Sequence, residues 1–599
     1  MALAGGFSPP EVDDGQEKRR KIQDSQGSGE SVLDVDMAAE DDFFVVCIDK
    51  NFDKARCLLL DKLMELSNIC LSLELSFNFE KTKAIHFNNR PRTLNLSVGP
   101  ILIPEVNSIK YLGRTIACNN SSMSHIRTTF GSINRTCNFY RILNHRNKGV
   151  SPLRALQIYR AFIRPRIEYA VSSFANLSKT ALNFITTQVN VFLRQGLGLL
   201  RSSPTHILYH MAAELPPKYR FVIVTAREIL KSLIHKLPIS TYIDSLLGVN
   251  TGIAEIYRQY DFIFKDIGNL SEVVGNCAHI SFQLDFFKGM YRKKAEANMD
   301  IVNSLFLEKF NDMVNNNYEI FFTDGSVSDN FTGFAAYHEN SDTVESGYTR
   351  RILSSMTSEL LAIDTAVDIG ISKELKSLAI FTDSKSGIYA LRNRDLDNYI
   401  VGRILNKMSD NFERIASIYI PGHGGIKGNG IVDLAAKNAH KNGLPIHIPW
   451  TLKDAILVIE SMLKGEWSTE YCRLKISKGV DYGKFFPRTS DNFWTVDYNI
   501  DPTYFKASDL RMANRILCGH TYCGQTLSRM GVSVSDICTI CNCTEDSSHI
   551  IFKCSKYGNQ RGIFPSISRH NNLLEFIECE GMDKISHIIE FLKSIDIVL

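Results

Sequence analysis

Short apolar runs bounded by turn-forming residues predict alternating strands and helices in the middle of the chain. Residues 318–323, 378–382 and 416–420 are rich in aromatic and β-branched side chains, and each run ends at a polar or glycine-containing turn. Such runs are typical of buried strands. Apolar residues at helical spacing occupy 356–363, between the first and the second of these strands. This order of elements predicts an α/β domain.

The preceding part of the chain is predicted to contain strands first and helices afterwards. Strand-like residues lie at 43–46, 81–87 and 109–113. Apolar residues then recur every three or four positions at 151–167 and 178–197, which predicts two amphipathic helices. We therefore expect a mainly helical region before the α/β domain.

Four acidic residues and one histidine occupy informative places in this pattern. Asp324 and Asp383 directly follow predicted strands, whereas Glu359 and Asp433 lie on predicted helices. His423 lies in a glycine-flanked turn after the third strand. Gathering like charges lowers stability unless cations neutralise them, so such a set indicates function. A single acid before Gly or Ser is more simply a turn or helix cap, but the ordered set favours a site.

Phosphodiester hydrolysis explains why these residue types occur together. Two divalent cations roughly 4 Å apart can activate a water molecule and relieve the leaving oxygen of charge. Mg²⁺ prefers hard oxygen ligands and keeps several waters, so a few carboxylates suffice. A histidine in a glycine-flanked loop can move a proton or assist product release.

The segments around these residues resemble a type 1 ribonuclease H domain. The resemblance implies a mixed sheet of about five strands with flanking helices. It also implies two Mg²⁺ (or Mn²⁺) ions held by Asp324, Glu359, Asp383 and Asp433, proton transfer by His423, and cleavage of RNA in RNA–DNA hybrids. The matching segments are Phe322-Thr323-Asp324-Gly325-Ser326, Ser358-Glu359-Leu360, Phe381-Thr382-Asp383-Ser384, and Pro421-Gly422-His423 followed by Asp433.

Positive charge is concentrated in one part of the chain. The formal net charge of the 599 residues is only +3. Residues 81–231, however, contain 22 Lys or Arg against four Asp or Glu, and most of the basic residues are Arg. This excess favours contact with phosphates, because guanidinium groups bind phosphate in a bidentate manner. Solvated helix faces are the alternative explanation.

Three segments upstream of the ribonuclease H motifs resemble the latter half of a reverse transcriptase from non-LTR (LINE-type) retrotransposons of the I-element and jockey sort. Residues 39–43 resemble a degraded catalytic strand, 111–113 the primer grip, and 159–169 the thumb and connection. The family requires a further palm carboxylate and fingers before Asp41, and only a short polar leader precedes it. We therefore expect no DNA synthesis by this chain alone, with Asp41 and Asp42 as relics or a polar strand start.

A late group of cysteines and a histidine has the spacing of a zinc site. Cys538, Cys541, His549 and Cys554 are separated by two, seven and four residues, which suits tetrahedral Zn²⁺. Cys543 is an additional candidate ligand, and reduced cysteines in a small core are the alternative. The group resembles the Cys-Cys-His-Cys knuckle of the same retroelements. Three arginines just before or within this region are expected to contact nucleic acid: Arg511, Arg515 and Arg529.

The remaining composition favours an intracellular protein, nuclear or cytoplasmic. No apolar stretch approaches the roughly 18 residues of a membrane span, and no secretory signal is apparent. Most of the 14 cysteines are scattered, which fits a reducing compartment. The polar leader at 1–36 cannot bury enough apolar surface to fold, although its basic cluster at 18–21 resembles a nuclear import signal.

Together the resemblances imply a retrotransposon-derived ribonuclease H whose partners are RNA–DNA hybrid and other nucleic acid. We expect no membrane association, and the sequence leaves the oligomeric state open. The alternative is a non-catalytic nucleic-acid-binding remnant of a retroelement. The predicted regions are a disordered N-terminus at 1–36, a partial reverse transcriptase at 37–240, a connector at 241–315, a ribonuclease H domain at 316–442, a helical connector at 443–505 and a zinc-knuckle region at 506–599.

Overall fold

The chain forms two compact units. The first consists of Met1–Pro217 together with Cys472–Leu599, and the second of Lys218–Tyr471. The structure is a computed structural model that describes residues 2–8, 32–36, 42–88, 91–144, 149–169, 171, 177–237, 240, 252–270, 278–284, 299–395, 397–422, 425–490 and 506–597.

The first unit begins with a small sheet and one long helix. The sheet has the order β2-β3-β1-β4, and β5 also pairs with β1. Two of its strands lie within residues 1–36, where the composition predicted no folded structure. Both strands pair with β3 through backbone hydrogen bonds, which do not depend on apolar side chains. Asp41 lies outside the described residues, and Asp42 begins β3. The elements are β1 Ala2–Ser8, β2 Val32–Asp36, β3 Asp42–Cys47, α1 Phe52–Ser72, β4 Ser76–Phe77 and β5 Lys83–Ile85.

Hairpins and helices follow, as the apolar pattern predicted. The strand expected at 109–113 is the first half of a hairpin, and the Tyr169 hydroxyl donates a hydrogen bond of 2.6 Å to the carbonyl of Leu112 at its tip. The helix expected at 151–167 contains one π-helical turn at Tyr159–Ile163. The elements are β6 Ser97–Val98, β7 Ile101–Leu102, β8 Ser108–Tyr111, β9 Arg114–Ala117, α2 Ser122–Leu143, α3 Pro152–Ile158, α4 Arg164–Glu168, α5 Lys179–Leu197 and α6 Thr205–Ala212.

The second unit is built on a mixed seven-stranded sheet with the order β10-β15-β14-β11-β12-β13-β16. The expected α/β fold is confirmed, and β11 to β15 are the strands that the ribonuclease H resemblance implied. Two further strands, β10 and β16, come from segments predicted to be connectors, so the sheet is wider than expected. The strands are β10 Ile280–Gln283, β11 Glu319–Val327, β12 Thr332–His338, β13 Thr343–Thr349, β14 Ser377–Thr382, β15 Arg414–Tyr419 and β16 Leu444–Pro445.

Aromatic side chains fill the core beside this sheet. The ring centroids of Phe322 and Phe381, on neighbouring strands, are 5.4 Å apart. The ring of Phe306, which lies on a helix, is 5.5 Å from the ring of Phe381. Trp450 and Trp467 are also buried. The helices are α7 Pro217–Ile234, α8 Gly252–Gln259, α9 Asp261–Phe264, α10 Met299–Asn315, α11 Ser355–Ser372, α12 Lys385–Arg392, α13 Tyr399–Asn411, α14 Lys427–Lys437, α15 Ala439–Asn442 and α16 Leu452–Leu474, with a 3₁₀ turn at Glu339–Ser341.

The C-terminal part of the first unit consists of short helices around a separate apolar cluster that includes Ile516, Phe576 and Phe591. None of the described helices in either unit combines the length and apolar composition needed to cross a bilayer. The helices are α17 Val480–Phe485, α18 Ala507–Cys518, α19 Gly524–Arg529, α20 Gly558–Gly562, α21 Pro565–Ser568, α22 Leu573–Glu580 and α23 Ile585–Ser594, with a π turn at His549–Lys553 and 3₁₀ turns at Ser555–Tyr557 and Met582–Lys584.

Two arginines of α18 hold the first unit together instead of facing nucleic acid. Arg511 and Arg515 are only 2% and 5% exposed. Arg511 donates a 2.8 Å hydrogen bond to the carbonyl of Val150, and Arg515 donates one of 2.7 Å to the carbonyl of Gly198. The expectation that both contact nucleic acid is therefore wrong. Arg529, at the end of α19, is exposed.

Candidate active site

Three of the predicted acids converge in the second unit. Asp324 lies on β11, Glu359 on α11, and Asp383 immediately after β14. One carboxylate oxygen from each lies within 4.8 Å of the other two. Strands β11 and β14 run parallel with Thr323 opposite Thr382, so the next residue on each strand is an acid at the same edge of the sheet.

Glu359 reaches this edge because α11 packs very closely on β11. Helix α11 begins after Ser354, whose hydroxyl accepts the Thr357 N–H at 3.3 Å and caps the first turn. A Cβ atom at Gly325 would lie 2.6 Å from the backbone nitrogen of Glu359. The glycine after Asp324 therefore allows the helix backbone to approach the strand.

The electrostatics of the cluster call for a cation. Burial, followed by the charges of Asp324 and Asp383, raises the pKa of Glu359 to about 9. Burial, followed by Asp383 and then Asp433, raises the pKa of Asp324 to about 7. The Oε2 atom of Glu359 is buried without a hydrogen-bond partner in the described part of the chain. Buried carboxylates this close are stable as anions only when paired or bound to metal.

Asp433 lies near the cluster but outside the close group of three. Its side chain is 35% exposed on α14, and its carboxylate is 2.7 Å from the ammonium of Lys437 one turn later. It is close enough to help raise the pKa of Asp324. The spacing of an acid and a lysine four residues apart on a predicted helix could have indicated this ion pair from sequence.

His423 lies outside the described residues, but its neighbour Gly422 is placed directly beside Asp383. A Cβ atom at position 422 would overlap Oδ2 of Asp383. Only glycine fits this approach without displacing the carboxylate. The chain at Gly422 thus passes alongside the acidic cluster.

The predicted Cys and His residues near the C-terminus also converge. One ligand atom each from Cys538, Cys541, His549 and Cys554 lies within 4.8 Å of the others. The sulfur of Cys554 is 3.9 Å from the sulfurs of both Cys538 and Cys541. Zinc–sulfur bonds of about 2.3 Å in tetrahedral geometry place sulfur ligands at about this spacing. These four residues could therefore hold Zn²⁺.

The surroundings of the cysteine group distinguish its members. Hydrogen bonds from the side chain and backbone of Ser555 lower the pKa of Cys541 to about 7, whereas burial raises that of Cys554 to about 11. The additional candidate, Cys543, lies outside the group of four, with its sulfur 3.3 Å from Nδ1 of His549. Asp546 accepts the His549 N–H at 2.7 Å and orients that residue.

Basic side chains of the first unit divide into two sets. Arg160 and Arg164 pair with the buried carboxylate of Glu214 and therefore stabilise the helical packing. Others are exposed on the hairpin and helices of residues 108–197: Lys110, Arg127, Arg135, Arg141, Arg154, Arg166 and Lys179. Unlike Arg160 and Arg164, these exposed side chains are available to phosphates.

Comparison with known proteins identifies part of the second unit. Residues 316–441 match the RNase H family, so an RNase H domain occupies this segment and contains the acidic cluster. At the level of the family, the match supports hydrolysis of RNA–DNA hybrids and implies binding of hybrid nucleic acid. A search of curated proteins found no match to the chain.

Proposed function

We propose that this chain is a metal-dependent ribonuclease H that cuts the RNA strand of RNA–DNA hybrids internally. The observation that carries the proposal is the convergence of Asp324, Glu359 and Asp383 within a domain that matches RNase H. The buried, unpartnered Oε2 of Glu359 supports metal binding, because an ionised carboxylate needs a counter-charge in that position.

Each acidic residue has a distinct part in this proposal. Asp324, Glu359 and Asp383 would hold Mg²⁺ (or Mn²⁺), which lowers the pKa of a bound water and neutralises charge on the phosphate. Asp433, which pairs with Lys437, would complete the ligand set from the solvent side, because its side chain is more exposed than those of the buried acids of the cluster. His423, the residue after Gly422 in the sequence, would accept or donate a proton during hydrolysis and product release.

The other regions fit a retrotransposon-derived protein that binds nucleic acid. The cysteine group would bind one Zn²⁺ through Cys538, Cys541, His549 and Cys554 and stabilise its module. The exposed basic side chains of the first unit would contact phosphates and retain the hybrid. We place this activity in the nucleus or cytoplasm, where RNA–DNA hybrids form.

A strand-specific cleavage assay tests this function. The full chain is incubated with a hybrid labelled on the RNA strand or on the DNA strand, with Mg²⁺ and then with excess EDTA. We expect internal cuts in the RNA strand only, and none with EDTA. Retained hybrid binding without metal-dependent cleavage would contradict the proposal and favour a non-catalytic binding protein.

A further inference from the structure

The first turn of α11, directly before Glu359, is tied to a residue beyond the end of the RNase H match. That residue is Asp454 on α16, whose side chain is 1% exposed. Its Oδ1 accepts the Ser354 N–H at 2.7 Å, and its Oδ2 accepts the Thr357 hydroxyl at 2.7 Å. Both partners lie within five residues of Glu359, so a single carboxylate fixes the start of the active-site helix.

The carboxylate of Asp454 is itself fixed by its own helix. The Thr451 hydroxyl donates a 2.6 Å hydrogen bond to Oδ2 of Asp454, and the Asp454 N–H donates back to the same hydroxyl at 3.2 Å. Together with Ser354 and Thr357, this gives the buried anion three donors. Charge-assisted bonds of this kind are short and directional, so they hold α11 and α16 in one arrangement.

Contacts on β11 constrain the same turn independently. Gly325 allows the backbone of Ser358 and Glu359 to rest on the strand, since a Cβ there would lie 2.5 Å from the Ser358 carbonyl carbon. The turn is thus fixed by close packing at Gly325 and by hydrogen bonds to Asp454. Together these contacts set where the Glu359 carboxylate lies relative to Asp324.

A second attachment reinforces the link to residues outside the match. Arg351, three residues before Ser354, donates a 2.8 Å hydrogen bond to the carbonyl of Ile448 and forms an ion pair with Asp266. Its guanidinium also lies over the ring of Trp450, 4.4 Å from the centroid. The segment from Ile448 to Asp454 therefore holds the approach to α11 at two points.

We propose that Asp454 is a positioning residue that, acting through Thr357, aligns Glu359 for binding of the divalent cation. The proposal rests on the function proposed above and extends the working unit past residue 441. Loss of the hydrogen bond between Asp454 and Thr357 would remove none of the four acids but would let the start of α11, and with it Glu359, shift. Metal affinity would then fall while the hybrid is bound as before.

Four variants of the full chain separate alignment from stability. Asp454→Asn and Thr357→Val remove the bond between the helices, whereas Thr357→Ser keeps the hydroxyl. Asp364→Asn is the matched control, because Asp364 is another buried acid of α11 and pairs with Arg403 and Lys407 away from the first turn. The measurements are the Mg²⁺ dependence of hybrid cleavage, the KM for hybrid, and the Mn²⁺ concentration that half-saturates the metal-induced rise in Tm.

We expect Asp454→Asn and Thr357→Val to raise both half-saturating metal concentrations by roughly tenfold or more, comparable to the loss of an outer partner of a metal ligand, with KM unchanged. Thr357→Ser and Asp364→Asn should keep the wild-type metal dependence. If Thr357→Val keeps it too, or if Asp364→Asn shifts it equally, the proposal is wrong. If Asp454→Asn does not fold, the result for Thr357→Val tests the proposal by itself. If wild type cleaves no hybrid, the proposed function fails, and the Mn²⁺ titration still tests the alignment.

Discussion

Gly325 and Glu359 are in such close contact that the backbone nitrogen of Glu359 would lie 2.6 Å from a Cβ at position 325. The contact joins a strand that supplies one acid to a helix that supplies another. The glycine following Asp324 is therefore required for the close packing that brings Glu359 to the acidic cluster.

Gly325→Ala should impair the cluster without removing a carboxylate. The methyl group meets backbone atoms of Ser358 and Glu359, which cannot move aside as a flexible side chain could. We expect a loss of roughly 1–3 kcal/mol in the free energy of unfolding, as for other overpacked sites. Hybrid cleavage should fall at least about tenfold, because small misplacements of reacting groups are costly.

Gly465→Ala is the matched control for this substitution. Gly465 lies on an exposed face of α16, with open space where its Cβ would be. Alanine there should stabilise the helix by up to about 1 kcal/mol and leave cleavage unchanged. Unaltered cleavage by Gly325→Ala would contradict the packing described for α11.

The stability of the metal-free protein should fall as pH rises. An acid with a raised pKa stabilises the fold while it is protonated. Each acid's contribution to the free energy of unfolding is complete below its pKa in the unfolded chain, which is about 4. The contribution is lost as the pH rises through the folded-state pKa, about 7 for Asp324 and about 9 for Glu359. Mg²⁺ should oppose the loss, since it binds the ionised acids and releases their protons.

Glu359→Gln isolates this effect from other titrating groups. In EDTA, denaturant unfolding should show the variant gaining stability relative to wild type between pH 5 and pH 9, because glutamine does not ionise. With saturating Mg²⁺ the order should reverse at the higher pH. A wild-type protein whose metal-free stability relative to the variant does not change with pH would show that Glu359 is not a perturbed acid.

The cysteine group should bind one zinc ion per chain. Cys554→Ser should lower the zinc content measured by mass spectrometry and the midpoint of thermal unfolding, because a structural zinc site contributes directly to folding. Cys579→Ser, at an exposed cysteine outside the group, should change neither. Wild-type protein that remains zinc-free after reconstitution would exclude the site. Cleavage should survive either substitution, since the acidic cluster belongs to the other unit.

The proximity of Asp324 and Asp383 can be predicted from the sequence, because the strand pattern determines where both residues lie. Asp324 and Asp383 come immediately after buried apolar runs, and parallel pairing of β11 and β14 places them at one edge of the sheet. The four zinc-site candidates are similarly recognisable, because short loops fix their ligands locally. In both cases the signal is a residue type at a position that the local structure determines.

Long-range packing is what the sequence does not reveal. Strand β10 is only four residues long, so the pattern gave no reason to add it to the sheet. Arg511 and Arg515 have the residue type of a phosphate contact, yet carbonyls of Val150 and Gly198 bind them. Asp454 likewise resembles any acid in the first turn of a helix, and only the three-dimensional fold brings it to α11.

Cleavage of a labelled RNA–DNA hybrid by wild type, Asp383→Asn and Asp368→Asn tests the central claim most directly. Asp368 is an exposed acid of the same domain, with its side chain 55% accessible and paired with Lys407, so it controls for the loss of one charge. We predict Mg²⁺-dependent cleavage by wild type and Asp368→Asn. Asp383→Asn should keep its fold and lose more activity than the roughly 10–100-fold typical of an outer metal partner. Cleavage by Asp383→Asn at the wild-type rate would contradict the assignment of the acidic cluster as the active site.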